Sequence, residues 1–233
     1  MKQAVLKALQ QSRQKKQPVA LVSNVISGEQ QLVYADSVAD FSLDLTGGQL
    51  EHIRKLLQQG RSAHLSASDQ GLFVRSYLPR HRLIIIGAVH IAQFLAEMAT
   101  AAGFEIVIID PRRGFASEHR FSHFEVVCEW PDEALEAMAL DASSALVTLS
   151  HDPKIDDPAL NAALKSDVFY IGALGSLRTH SKRLERLAEF GSALNRISAP
   201  VGLKLGGRSP AEIAVSILAE IIQARYLPGQ DRV

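Results

Sequence analysis

Leu83-Ile-Ile-Ile-Gly-Ala-Val-His-Ile-Ala92, an amphipathic stretch, and then Glu105-Ile-Val-Ile-Ile-Asp110 read together as a βαβ unit of the dinucleotide-binding type. The apolar run Leu83 to Ile86 suits a strand buried on both faces. Ile91, Leu95, Met98 and Ala102 fall on one helical stripe that stops at Gly103. The glycine fingerprint is incomplete. Its first, third and sixth positions are Gly87, Val89 and Ala92, so a β-branched side chain stands where a pyrophosphate would ordinarily touch bare backbone. Asp110 closes the second strand about 20 residues after the turn, where an acidic residue can accept hydrogen bonds from a ribose. These features predict a Rossmann-like fold and weaken the case for an ordinary dehydrogenase.

Beyond this unit strands and helices keep alternating, as an α/β parallel sheet with helices on both faces requires. Further strands are expected at Glu125 to Cys128, Ala145 to Leu149 and Val168 to Ile171, with helices near 132–140 and 158–165. Such sheets bind ligands at the carboxyl ends of their strands, which directs attention to Gly87 to His90, Asp110 to Arg113, Ser150 to Pro153 and Gly172 to Ser176. Upstream the pattern is shorter and mixed. Strands are predicted at Val19 to Val25, Gln31 to Tyr34, Ala63 to Ala67 and Leu72 to Tyr77, with an amphipathic helix over residues 1–10 and another from about Gln49 to Gln59. Leu78-Pro79-Arg80-His81-Arg82 combines a proline with basic side chains and marks the boundary, giving a smaller N-terminal α/β domain (1–78) and a Rossmann-like domain (79–233).

Composition narrows the function classes. The 233 residues are 47% hydrophobic, enough for a sizeable core, and 25 basic residues cancel 25 acidic ones, so no long-range field favours nucleic acid or an anionic membrane. The single cysteine, Cys128, excludes an intramolecular disulfide framework and a multi-cysteine zinc site, which points to a reducing compartment and hence the cytoplasm. Its place in a predicted strand leads us to expect a buried, inert thiol. No secretory signal is evident at the start, and no stretch of about 20 apolar residues would span a membrane.

Several residues could carry chemistry. Tyr170-Ile-Gly-Ala-Leu-Gly-Ser176 is a second strand, glycine turn and helix start, where free amides and the helix dipole suit an anion. Gly172, Gly175 and Ser176 would line it. Of the basic residues on the helix read from about Leu177 to Phe190, only Arg178 and His180 lie near enough to help; the others make a solvated face. Ser150-His151-Asp152 is not a hydrolase triad, because a triad needs side chains converging from separated positions. His151 and Asp152 either act singly or merely end the strand and start a turn before Pro153; His90 faces either ligand or core. Lys204 and Arg208 sit in a glycine-rich loop and either reach an anion or are simply exposed. Ser209, Pro210 and Glu212 form a capping-box helix start. No catalytic residue and no metal ligand is assigned.

Five ordered motifs across residues 83–226 resemble the XdhC/CoxI family, accessory proteins of molybdenum enzymes of the xanthine dehydrogenase type. They are Ile-Gly-Ala-Val-His-Ile-Ala at 86–92, Ile-Asp-Pro-Arg at 109–112, His-Asp-Pro-Lys-Ile-Asp-Asp-Pro-Ala-Leu at 151–160, Tyr-Ile-Gly-Ala-Leu-Gly-Ser at 170–176, and Ser-Pro-Ala-Glu-Ile-Ala-Val-Ser-Ile-Leu-Ala-Glu at 209–220. The resemblance implies a chaperone that binds molybdenum cofactor (molybdopterin), supports its sulfuration and passes it to a xanthine dehydrogenase-type molybdoenzyme. The resemblance is also compatible with a cysteine desulfurase as an additional partner and with a homodimer. Gly87, Ala88, Val89, His90, Asp110, Arg112, His151, Asp152, Gly172, Gly175, Ser176, Arg178 and Lys204 are the cofactor-binding candidates. The alternative is an NAD(P)-dependent oxidoreductase using Asp110 for ribose and His90 or His151 as acid-base, against which Val89 argues. The chain departs from the family pattern at three places: Gln49 replaces a cysteine in Gly-Gly-Cys-Val-Glu, Ser198 a histidine, and Lys204 an acidic residue. A glutamine amide cannot carry sulfur as a thiolate can.

Overall fold

Alternation along Val19–Asn24 sends Ala20 and Val22 to one face of a strand and Val19 and Leu21 to the other, and both faces are buried. Each face has its own helix in the computed structural model, which describes residues 2–39, 41–65, 71–114 and 120–227. The first unit, Met1–Pro79, contains α1 (Gln3–Gln14), β1 (Val19–Asn24), β2 (Gln30–Val33), α2 (Gly47–Gln58), β3 (Ala63–His64) and β4 (Leu72–Tyr77). Its strands lie in the order β2-β1-β4-β3, all antiparallel. Ile53, Leu56 and Leu57 of α2 pack on the Ala20 face, and Val5 and Leu9 of α1 on the Val19 face. The strand expected at 63–67 is only two residues long within the described chain, and residues 66 and 67 lie outside it.

Gln49 has a local task. The Thr46 hydroxyl accepts the Gln49 N–H at 3.4 Å while the Gln49 side-chain oxygen accepts the Thr46 N–H at 2.9 Å, a reciprocal cap on α2. Where the resemblance leads one to expect a cysteine, this chain has a helix-capping amide.

The second unit, Arg80–Val233, holds β5 (Arg82–Ile86), α3 (His90–Ala101), β6 (Glu105–Ile109), β7 (Glu125–Val127), α4 (Pro131–Met138), β8 (Ser144–Thr148), α5 (Pro153–Leu164), β9 (Tyr170–Ala173), α6 (Leu177–Arg186), β10 (Ile197–Ser198) and α7 (Pro210–Tyr226). Its six strands are parallel in the order β10-β9-β8-β5-β6-β7. Counted within the unit, this is the doubly wound order in which the chain reverses direction between its first and fourth strands. That switch point lies between β5 and β8. Leu83, Ile85, Ala145 and Val147 face α3 and α7, whereas Ile84, Ile86, Leu146 and Ile171 face α4 and α5. The continuous apolar strands read from the sequence are buried on both faces because both faces carry helices.

Local boundaries shift where capping decides. α5 begins at Pro153, earlier than the start read near 158: the Asp152 carboxylate accepts the Lys154 N–H at 3.0 Å, Pro153 takes the first helical position, and Pro158 is accommodated inside. β9 starts at Tyr170 and runs through Ala173, so Gly172 belongs to the strand. α6 ends at Arg186, and a 3₁₀ stretch, Ala188–Arg196, breaks at Gly191 with φ of 51°.

Cys128 corrects an expectation. β7 is a three-residue edge strand ending at Val127, and the cysteine beyond it is exposed. An edge strand has no neighbour to cover the residue that follows, so burial does not protect this thiol. Maleimide should therefore alkylate the native protein once per chain without denaturant, as read by intact mass. Labelling only after unfolding would contradict the exposed placement.

Candidate functional site

The carboxyl end of β5 runs into Gly87, whose φ of 102° is a left-handed conformation that suits glycine. A Cβ there would stand 2.8 Å from the backbone nitrogen of Ser150, so the β5 and β8 loops meet with only a glycine's width between them. The next amide, Ala88 N–H, donates to Asp110 Oδ2 at 2.8 Å. Asp110 also accepts the Arg112 backbone N–H at 3.0 Å, and the Arg112 guanidinium grips both oxygens through Nε at 2.9 Å and Nη2 at 2.8 Å. Asp110 is fully buried. Burial alone would raise its pKa, but the bonds from Arg112 and the Ala88 amide outweigh that and hold it below the ordinary carboxylate value. Its oxygens are therefore committed to protein donors rather than held out for a ribose, contrary to the role the dehydrogenase reading gave it.

Val89 starts α3 without a side-chain cap and packs half-buried against the core shared with α7. His90, exposed, stacks on Phe94 with ring centroids 5.3 Å apart. Arg120 closes over this turn, Nη1 donating to the Ala88 carbonyl at 3.3 Å and Nη2 to Gln93 Oε1 at 3.3 Å. The sequence reading missed Arg120, and its neighbourhood carries no motif that would have flagged it.

At the end of β8 the Ser150 hydroxyl accepts the Asp152 N–H at 3.1 Å and donates to Asp156 Oδ1 at 2.7 Å. His151 takes a left-handed φ of 61° and is exposed. Asp152 is the α5 cap, so the structural alternative accounts for its side chain. Asp156 is buried, and burial raises its pKa against the opposing pull of Ser150 and Arg183. Arg183, on α6, is 2% exposed. It reaches back to the β9–α6 turn, donating from Nη2 to the Leu174 carbonyl at 3.0 Å, with Asp156 Oδ2 4.0 Å away. Neither Asp156 nor Arg183 was singled out from sequence. Both are charges on helices, yet each lies on the stripe that faces the sheet.

The second glycine turn is Leu174-Gly175-Ser176. The Leu174 N–H donates to the Thr148 carbonyl at 2.9 Å, tying this turn to β8. Gly175 has φ of 137°, and Ser176 caps α6 by accepting the Thr179 N–H at 3.2 Å. Arg178 is exposed on the first turn of the helix. Gly172 has a packing reason to be glycine, since a Cβ would lie 2.6 Å from Val201 and 2.9 Å from Tyr170. Lys204 is exposed in the loop after β10. The structure thus joins the Gly87, Asp110, Ser150 and Leu174 loops by direct contacts, while Arg178 and Lys204 project from it. The helix start, hydroxyl cap and guanidinium make a donor set that fits a phosphate. Among the described residues no group of three or more His, Cys, Asp or Glu is placed to hold a metal ion, and no helix is long and apolar enough to cross a membrane.

Sheet order, glycine turn and switch-point loops together define a Rossmann-like domain whose first turn is filled by its own aspartate. The family model described as the XdhC Rossmann domain matches residues 83–221, and the chain belongs to this family. It is 32% identical over 165 residues to a Bacillus subtilis (strain 168) protein named as a probable xanthine dehydrogenase subunit, covering 70% of this chain and 49% of that one. It is 33% identical over 162 residues to the molybdenum cofactor insertion chaperone PaoD of Escherichia coli (strain K12), covering 68% and 45%. The chain thus spans about half the length of these curated relatives. A crystal structure described as a xanthine dehydrogenase from Bacillus halodurans shares the fold, with a TM-score of 0.74 at 24% identity over 97% of this chain and 65% of that one.

Proposed function

We propose that this protein is an accessory chaperone that holds molybdenum cofactor at the carboxyl ends of β5, β8 and β9 and delivers it to a xanthine dehydrogenase-type molybdoenzyme in the cytoplasm. The observation that carries this reading is the commitment of Asp110 to Ala88 and Arg112, which removes the ribose partner from a Rossmann-like site, whereas the β9–α6 turn joins a glycine bend, a helix start and the exposed Arg178, features that suit a phosphate. Family membership and the name borne by PaoD support the same reading. The bound group would bring its molybdenum and dithiolene chemistry with it. The chain's own residues bind the phosphate and fix the loops. Sulfuration, in this reading, draws on a separate cysteine desulfurase, because Gln49 caps a helix where a family cysteine would stand. Exposure of Cys128 makes its dispensability a matter for direct trial: a Cys128→Ser protein should still yield active target enzyme.

The test is purification from cells competent to make the cofactor, with mass analysis of what copurifies and direct titration against NAD and NADP. A bound pterin with no measurable dinucleotide affinity is expected. Micromolar NAD binding with hydride-transfer turnover, and no pterin, would favour the oxidoreductase instead.

A further inference from the structure

Two glycine turns open helices at the carboxyl side of the sheet, and they differ in what already occupies them. The β5–α3 turn carries its own anion: the Asp110 carboxylate takes the Ala88 amide, and Arg120 and Val89 lie against the same segment. The β9–α6 turn carries a cation instead, matched only by carboxylates that make closer contacts elsewhere. Nε and Nη1 of Arg183 are buried and have no hydrogen-bond partner among the described residues, and Nη2 has only a neutral carbonyl and a carboxylate 4.0 Å away. That carboxylate, Asp156, makes its closer contact with Ser150 at 2.7 Å. A buried guanidinium so sparsely matched is costly unless something completes its charge. Its side chain runs back toward the N-terminus of α6, where Gly175 turns the backbone, Ser176 caps and Arg178 stands exposed.

We propose that the phosphate of the ligand docks at the β9–α6 turn, over the buried Arg183 guanidinium, and not at the β5–α3 glycine turn where a dinucleotide pyrophosphate would lie. This deepens the cofactor-holding reading and rests on it for the identity of the ligand. Arg183 acts through the turn, fixing the Leu174 carbonyl and supplying positive potential beneath the helix start, and is a positioning residue. The helix dipole and the guanidinium reinforce one another there because little water separates them.

Titration of the isotopically labelled full-length protein with inorganic phosphate, followed by amide NMR, tests the placement. Shifts should concentrate at Gly175, Ser176, Leu177 and the Arg183 Nε–H. Concentration at Gly87 to His90, or no localised shift, would overturn the proposal. Arg183→Gln should weaken phosphate about tenfold or more, while Arg183→Lys, which keeps the charge, should recover most of the affinity. Equal phosphate affinity in a folded Arg183→Gln protein would also overturn it. Should the glutamine variant fail to fold, the shift map of the unsubstituted protein decides alone. Phosphate at β9–α6 without pterin binding would sink the cofactor reading and spare this one; pterin binding with phosphate at β5–α3 would do the reverse.

Discussion

Gly87→Val should unfold at a much lower temperature than the parent protein. Two costs add at this position. The φ of 102° strains any L side chain, at about 1–3 kcal/mol, and a Cβ placed 2.8 Å from Ser150 N strikes backbone that cannot rotate away, at about 1–3 kcal/mol or more. The clash falls between the two strands at the switch point of the sheet, β5 and β8, which pair along their whole lengths. Against a domain stability of about 5–15 kcal/mol, such a loss is a large fraction. Gly206→Ala is the control: φ is 81°, but nothing lies within 4 Å of the added carbon, so only the conformational cost applies, about 1 kcal/mol. Thermal unfolding followed by circular dichroism separates the two. A Gly87→Val protein that melts like its parent would mean that the loops do not meet as described.

The second large effect is at Asp110. Asp110→Ala strands the buried Ala88 N–H and deprives Arg112 of its partner, a loss of about 2–4 kcal/mol, moderated because 32% of the Arg112 side chain is in contact with water. The same group gives the protein an acid limb. Its folded pKa lies below the unfolded value, so its stabilisation is fully present above the unfolded pKa of about 3.9 and is lost as pH falls through the folded one. Asp156 has the opposite sign. Its folded pKa is raised, chiefly by burial, so the folded state favours the proton, and ionisation costs stability as pH rises. Urea unfolding across pH 3 to 7 should show a shallower acid decline in Asp110→Asn than in the parent. An unchanged slope would show that Asp110 is not the group responsible.

Much of the second domain was legible because its physics is local. Strands buried on both faces read as unbroken apolar runs, and helix starts at Ser176 and Ser209 announce themselves through their caps. What escaped depended on side-chain pairing and on position within the sheet, which no local pattern displays. Asp110 sits at the spacing of a ribose ligand, but its direction is set by the Ala88 amide and by Arg112 two residues on. Gly172 reads as a turn residue, yet it is a strand residue made narrow by Val201 and Tyr170. Cys128 follows two valines and so looks buried, though an edge strand of three residues cannot cover it. Asp156 could have been found: it lies between Ile155 and the Ala159-Leu160 pair on the face of α5 that meets the sheet.

The carboxylate at the first turn also sets a rule of competition. Asp110 is tethered within 2.8 Å of the Ala88 amide, so any free anion must displace a group whose effective concentration at that donor is on the order of millimolar or above. A dinucleotide present well below that concentration loses the contest for this amide without any steric gate. Trimming Val89 to glycine would widen the approach but leave the incumbent in place. Recruiting a dinucleotide to this domain would require evicting the aspartate as well, and with it one of the bonds that hold β5 and β6 in register at their carboxyl ends.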